Sequence, residues 1–317
     1  MLEYSGEFSE QLLEVFEQST QVEKSLISLE RCDAFTHLPS ENYEEEKLEL
    51  KNEKIYDLSD KSWPNEGKVK YDNYSMKYRD NCDLALHDIN IEINPGEKIG
   101  VVGRTGSGKS SLTLSLFRII EAFKGKIEID GYNIKDIPLK KLRRSLSIVP
   151  QEPFLLEGTL KTNLDPLNLY SDSEIDEVLK NVKLYEMLEH DNANGQTILN
   201  GINTEIKEYG NNLSFGCRQL LCVARAILRK SKIIILDEAT SSVDQKTEDI
   251  ITNAVDTMFK ESTVITIAHR IHTVKKCDRI IVMNNGEIIE IGKPDELINN
   301  VKSKFYSLYY KYIEEIE

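Results

Sequence analysis

The chain is short of basic residues, cysteine, tryptophan and long apolar runs. Forty Lys and Arg face 54 Asp and Glu, leaving a formal net charge of −14, which argues against the broad positive footprint of a nucleic-acid binder. The five cysteines, Cys32, Cys82, Cys217, Cys222 and Cys277, are odd in number, scattered and free of any C-x-x-C pair. That pattern argues against a disulfide framework or a zinc site and fits reduced thiols in a cytosolic setting. Apolar runs such as Ile233-Ile234-Ile235-Leu236 stop far below the ~20 residues of a membrane-spanning helix. No charged-then-apolar signal segment opens the sequence. With 40% apolar and 30% charged residues over 317 positions, the composition is globular, enough for one large domain or two ordinary ones.

The acidity is concentrated. Residues 1–60 carry 16 acids and five bases, a net of −11, whereas the remaining 257 residues carry only −3. Within this leader, Leu12, Val15, Ser19, Val22, Leu26 and Leu29 follow a 3-4-3-4-3 spacing, an apolar stripe on one helix face interrupted by Ser19. A lone helix of that length is marginal in water, so the stripe predicts a packing partner, either the chain's own body or a larger assembly. Pro39 to Lys54 is rich in Glu and reads as a solvated linker. From about Trp63, short β-like runs (68–71, 84–93, 98–102, 126–129, 145–149, 233–236, 264–267, 279–283, 287–291) alternate with helical stretches (109–121, 173–188, 218–228, 247–259, 304–313). Strands first, then alternating strand and helix, predict a β-rich lobe fused to a mostly parallel α/β sheet.

Gly103-Arg104-Thr105-Gly106-Ser107-Gly108-Lys109-Ser110 fits G-x-x-x-x-G-K-[ST]. It follows the apolar run Ile99-Gly100-Val101-Val102 and opens a helical stretch, the context this phosphate-binding loop requires. Glycines let backbone N–H groups curl around phosphate oxygens, and the helix start adds unpaired N–H groups and partial positive charge. Lys109 is then expected to reach the β- and γ-phosphates and Ser110 to hold Mg²⁺. A second apolar run, Ile233 to Leu236, ends in Asp237-Glu238. Ligands of open α/β sheets sit outside the carboxyl ends of strands, so Asp237 is placed to hold Mg²⁺ and Glu238 to act as general base on the attacking water. These two elements indicate a P-loop NTPase.

Four further stretches resemble the ATP-binding domain of ABC transporters, in the order of that family. Pro150-Gln151-Glu152-Pro153 resembles the Q-loop, implying that Gln151 touches Mg²⁺ and the attacking water. Leu213-Ser214-Phe215-Gly216-Cys217 resembles the family signature, Ser241-Ser242-Val243-Asp244 the D-loop, and Ala268-His269-Arg270 the switch histidine. Tyr78 lies 31 residues before Lys109, where the family has an aromatic that stacks on adenine; a tyrosine in a β lobe is otherwise most often packing. Ser62-Trp63-Pro64, Asn73-Tyr74-Ser75, Gly103 to Ser111, and Gly158-Thr159-Leu160 through Asn163-Leu164-Asp165-Pro166 resemble the C subfamily, the multidrug-resistance-associated-protein type, most of all its second nucleotide-binding domain.

The resemblance implies an α/β RecA-like P-loop fold with an antiparallel β lobe and a helical signature lobe, spanning residues 63–317. Residues 1–62, the amphipathic helix and acidic linker, are then the tail of a transmembrane region. It implies Mg²⁺-dependent ATP hydrolysis powering transport, in a head-to-tail pair with a second nucleotide-binding domain. It also implies membrane association with the ATP-binding domain on the cytosolic side, as a partial chain or beside a separate membrane subunit. Two alternatives are a soluble ATPase scaffold acting on nucleic acid, disfavoured by charge, and a non-hydrolysing channel regulator, disfavoured by Lys109, Asp237 and Glu238. The signature departs from the usual L-S-G-G-Q at Phe215 and at Cys217, where an amide donor and acceptor is lost. In this subfamily that signature faces the weaker ATP site, so restoring Gln at Cys217 is expected to change turnover little.

Overall fold

The computed structural model describes residues 2–38, 63–191, 199–239, 243–268 and 270–314. The chain divides into two compact units, Met1–Tyr56 and Asp57–Glu317; the expected boundary at 62/63 borders residues 39–62, which lie outside the described residues.

The first unit is one helix, Leu2–Thr36. Leu12, Val15, Val22, Leu26 and Leu29 are all exposed on it. Leu13, Phe16 and Ile27, which lie off the stripe, are exposed as well, so the packing partner expected for the stripe is not seen among the described residues. No helix among the described residues is long and apolar enough to cross a membrane.

The described part of the second unit starts with Trp63, whose indole N–H donates to Ile129 O (3.4 Å). Asp130 then gathers the entering backbone. Its two carboxylate oxygens accept from the N–H groups of Asn65, Glu66, Gly67 and Lys68 at 2.7–3.3 Å. The strands are β1 (Val69–Lys77), β2 (Leu84–Ile93), β3 (Lys98–Gly103), β4 (Lys124–Ile129), β5 (Tyr132–Asn133), β6 (Leu146–Val149), β7 (Gly158–Thr159), β8 (Glu205–Ile206), β9 (Ile233–Asp237), β10 (Thr263–Ile267), β11 (Arg279–Asn284) and β12 (Glu287–Gly292). An antiparallel sheet runs β2-β1-β4-β5, and a six-stranded sheet runs β12-β11-β3-β10-β9-β6. The latter is parallel from β11 to β6, with β12 antiparallel at the edge. Its central strands are near-continuous apolar runs, as strands covered on both faces must be.

The β lobe and one face of the large sheet share a core containing Val69, Tyr71, Leu86, Ile99, Val101 and Leu116. Tyr71 is buried there, and its hydroxyl donates to Leu112 O (3.2 Å), fastening the lobe to the helix that follows β3. A second core, with Leu160, Leu179, Leu184, Leu220 and Ile234, joins the helical lobe to the opposite face.

Two expected helices are shorter or divided. The helix after the phosphate loop spans Lys109–Leu116 rather than 109–121. Arg118 turns left-handed (φ 48°), and its buried guanidinium donates to Ile134 O and Ile137 O, while Arg143 binds Phe117 O and Arg118 O. Arg143 thus satisfies carbonyls at the helix end while Arg118 ties that end to the 134–137 segment, and periodicity alone reveals neither. Residues 173–188 form two helices, Asp172–Asn181 and Leu184–Asp191, broken at Lys183 (φ 53°). The break lets Leu179, Leu184 and Leu188 enter the same core.

Candidate nucleotide site

Parallel register brings the ends of four strands to one edge. Ile267 pairs with Val101 of β3 and with Asp237 of β9, and Val149 of β6 pairs with Leu236. The loop after β3, Ala268, Asp237-Glu238 and Gln151 therefore leave the sheet at neighbouring positions.

The phosphate loop is shaped by its glycines. A Cβ at Gly103 would lie 2.4 Å from Ser107 Oγ and 2.5 Å from Met283 O, and Gly108 takes φ +102° just before the Lys109–Leu116 helix. Arg104, Thr105 and Gly106 are exposed, as is Ser110, while Ser111 is buried. Ser107 Oγ is buried and has no hydrogen-bond partner among the described residues, an orphaned polar atom within the loop that a phosphate oxygen would satisfy. Lys109 is 5% exposed. Its Nζ donates to Gly103 O (2.8 Å) and Arg104 O (3.1 Å), bending the side chain back along the loop. Burial pushes its pKa below the usual lysine value, opposed by the carboxylates of Glu238 and Asp237.

Tyr78 leaves half its surface exposed, and its hydroxyl is 2.8 Å from Ser111 Oγ. The hydroxyl thus holds the half-exposed ring beside the start of the phosphate-loop helix. Glu238 adopts a left-handed backbone (φ 49°), and its N–H donates to Ile267 O (2.9 Å). A non-glycine residue in this conformation is strained, and such strain is concentrated at functional sites. Gln151 is exposed two residues beyond β6.

The signature lies on the helical lobe. Ser214 caps the helix Phe215–Arg229 by accepting from Cys217 N (3.2 Å). Leu213 is buried; Phe215 is half-buried with the Arg218 guanidinium 5.6 Å from its ring centroid. Gly216 packs on the neighbouring helix Gln245–Met258, where a Cβ would be 3.0 Å from Thr247 Oγ1. Asp244 caps that helix through Thr247 N (3.2 Å) and Thr247 Oγ1 (2.6 Å), and these bonds hold its carboxyl below the usual range. Cys217 is fully buried, so the residue replacing the family glutamine is part of the core. Ser241, Ser242 and His269 lie outside the described residues; Arg270, next to His269, pairs with the buried Glu248 at 3.0 Å.

Sequence reasoning missed two polar residues on the signature helix. Gln219 is fully buried, and its Nε2 donates to Pro150 O (2.9 Å). Arg225 donates to Asn163 O (2.7 Å), Phe154 O (2.8 Å) and Asn163 Oδ1 (3.0 Å). Their signal was two polar side chains that flank the apolar run Leu220-Leu221-Cys222-Val223-Ala224. Among the described residues, no three His, Cys, Asp or Glu side chains cluster to hold a metal.

Residues 86–241 match the ABC transporter family. The chain is 43% identical over 318 residues to bile pigment transporter 1 of Saccharomyces cerevisiae, covering 97% of this chain and 20% of that protein. It is 44% identical over 292 residues to human ATP-binding cassette sub-family C member 2, covering 91% of this chain and 18% of the relative. It thus spans about a fifth of the length of these curated relatives. Among solved structures, a bacterial Atm1-family ABC exporter with ATP bound superposes with a TM-score of 0.71 at 29% identity, covering 78% of this chain and 42% of that one. The ordered motifs, the mixed sheet with its β and helical lobes, and these likenesses agree: the chain belongs to the ABC transporter family as an ATP-binding domain of the C-subfamily type.

Proposed function

We propose that this chain binds Mg²⁺-ATP and hydrolyses it to ADP and phosphate, and that hydrolysis drives movement of a substrate across a membrane. The observation that carries this reading is the common edge shared by the phosphate loop, Asp237-Glu238 and Gln151, set by strand register. Tyr78 stacks on adenine. Backbone N–H groups from Gly103 to Ser111 hold the triphosphate, with Lys109 on its outer phosphates. Ser110, Gln151 and Asp237 offer a hydroxyl, an amide and a carboxylate, the hard-oxygen set that suits Mg²⁺ beside phosphate. When bound, the ion neutralises charge on the β- and γ-phosphate oxygens. Glu238 accepts the proton of the attacking water, and His269 contacts the γ-phosphate.

Leu213, Ser214, Phe215, Gly216 and Cys217, with Ser242 and Asp244 of the D-loop, face the ATP held by a second nucleotide-binding domain in a head-to-tail pair. The chain acts as the second such domain of a membrane exporter, on the cytosolic side, with residues 1–62 leading from transmembrane domains. The exposed stripe on Leu2–Thr36 supports a place in a larger assembly. The alternative of a nucleic-acid scaffold lacks support in charge, since residues 61–317 are near neutral. A non-hydrolysing regulator would not need Glu238. The test is Glu238→Gln in the chain joined to its partner domains. ATP binding is retained and phosphate release falls about 10²-fold or more; retained turnover overturns the assignment of Glu238 as base.

A further inference from the structure

We infer that Gln219 is a positioning residue that ties the Gln151 loop to the signature helix, so that metal-dependent nucleotide affinity depends on a side chain that touches neither metal nor nucleotide. The inference rests on the nucleotide-site reading above.

Gln219 is 0% exposed on an otherwise apolar face of the Phe215–Arg229 helix. Its Nε2 donates to Pro150 O at 2.9 Å, the carbonyl immediately before Gln151. Its Oε1 is buried with no hydrogen-bond partner among the described residues. A leucine or methionine would fill this space without burying an unsatisfied oxygen, so packing does not account for an amide here. What the amide supplies is a directional N–H to one carbonyl. Strand β6 sets the other end of the linkage, because Val149 is in register with Leu236, one residue before Asp237. Gln151 is therefore fixed between a strand end and a helix side chain, although the residue itself is exposed. Arg225 forms a second clamp farther along, on Phe154 O and Asn163. The segment 150–163 is thus held at two points by the helix that opens with the signature, and Gln219 is the clamp adjoining the proposed metal ligand.

The experiment compares the full chain with Gln219→Met and Gln219→Glu, using hydrogen exchange and fluorescent-ATP titration with and without Mg²⁺. Losing one buried hydrogen bond predicts about five- to tenfold faster amide exchange across 151–157 in Gln219→Met, with β3, β9 and β10 unchanged. The Mg²⁺-dependent gain in nucleotide affinity falls by about the same factor, while affinity without metal stays within about twofold. In Gln219→Glu the carboxylate cannot donate to Pro150 O, so the loss is larger at neutral pH and recovers in acid, where the protonated side chain donates again. If Gln219→Met does not fold, this recovery decides alone. Equal loss of affinity with and without Mg²⁺, unchanged exchange at 151–157, or the absence of acid recovery overturns the inference. A wild-type chain that binds no ATP overturns it too, but a changed exchange rate would then locate the failure in the nucleotide-site reading rather than in the clamp.

Discussion

Lys109→Met separates folding from binding at the phosphate loop. In the fold, the ammonium is desolvated, and its pKa is lowered chiefly by burial. A lysine whose folded pKa lies below its unfolded value is a net cost to the folded state when protonated. That cost is fully present below the folded pKa and disappears as pH rises toward the unfolded value near 10.5. Methionine keeps an unbranched apolar stem of similar reach and removes the charge. It also removes the donors to Gly103 O and Arg104 O, but Arg104 is exposed, and water can serve its carbonyl. The opposing terms leave stability within about 1 kcal/mol of wild type. Binding behaves differently, because an ammonium–phosphate contact is a charge-assisted hydrogen bond. Its loss costs about 2–3 kcal/mol, roughly 30- to 150-fold in Kd for ATP. Urea denaturation and fluorescent-ATP titration on the same preparation measure both. A stability loss as large as the binding loss would refute the reasoning, since Lys109 would then be structural.

Other expectations follow from the same geometry. Asp130→Ala leaves four backbone N–H groups without their acceptor and lowers stability by about 2–3 kcal/mol in chemical denaturation. Asp244→Ala removes a helix cap and costs about 1 kcal/mol near neutral pH. Because the folded pKa of Asp244 is lowered, its contribution is present above the unfolded carboxylate value of 3.8 and is lost as pH falls through the folded value. The wild-type advantage over Asp244→Ala therefore shrinks in acid, measurable as converging unfolding midpoints. Thiol titration at about pH 8 finds Cys32 and Cys82 fast, whereas buried Cys217 and Cys222, and Cys277 with its thiol pushed up to about 12, react only on unfolding.

The phosphate loop was legible because its glycines, lysine and serine are contiguous and flanked by an apolar strand and a helix. Asp237-Glu238 was legible for a similar reason, as two acids ending a buried strand. The split of the large sheet from the β lobe followed from strands preceding the alternating pattern. What escaped were side chains that act on distant backbone. The helix ends where Arg118 turns left-handed and Arg143, from another segment, takes the carbonyls of Phe117 and Arg118, so periodicity extended that helix too far. Gln219 and Arg225 reach loops about 60 to 70 residues away in sequence, where spacing carries no signal. Cys217 was read as a lost amide, and the fold adds that its side chain is core.

A crystal structure of the Glu238→Gln chain with ATP and Mg²⁺ tests the central claim most directly. The account predicts the triphosphate on the Gly103–Ser111 N–H groups with Lys109 turned toward it, adenine against Tyr78, and the metal reached by Ser110, Gln151 and Asp237. Nucleotide bound on another face, or a metal held without Ser110 and Asp237, would contradict it.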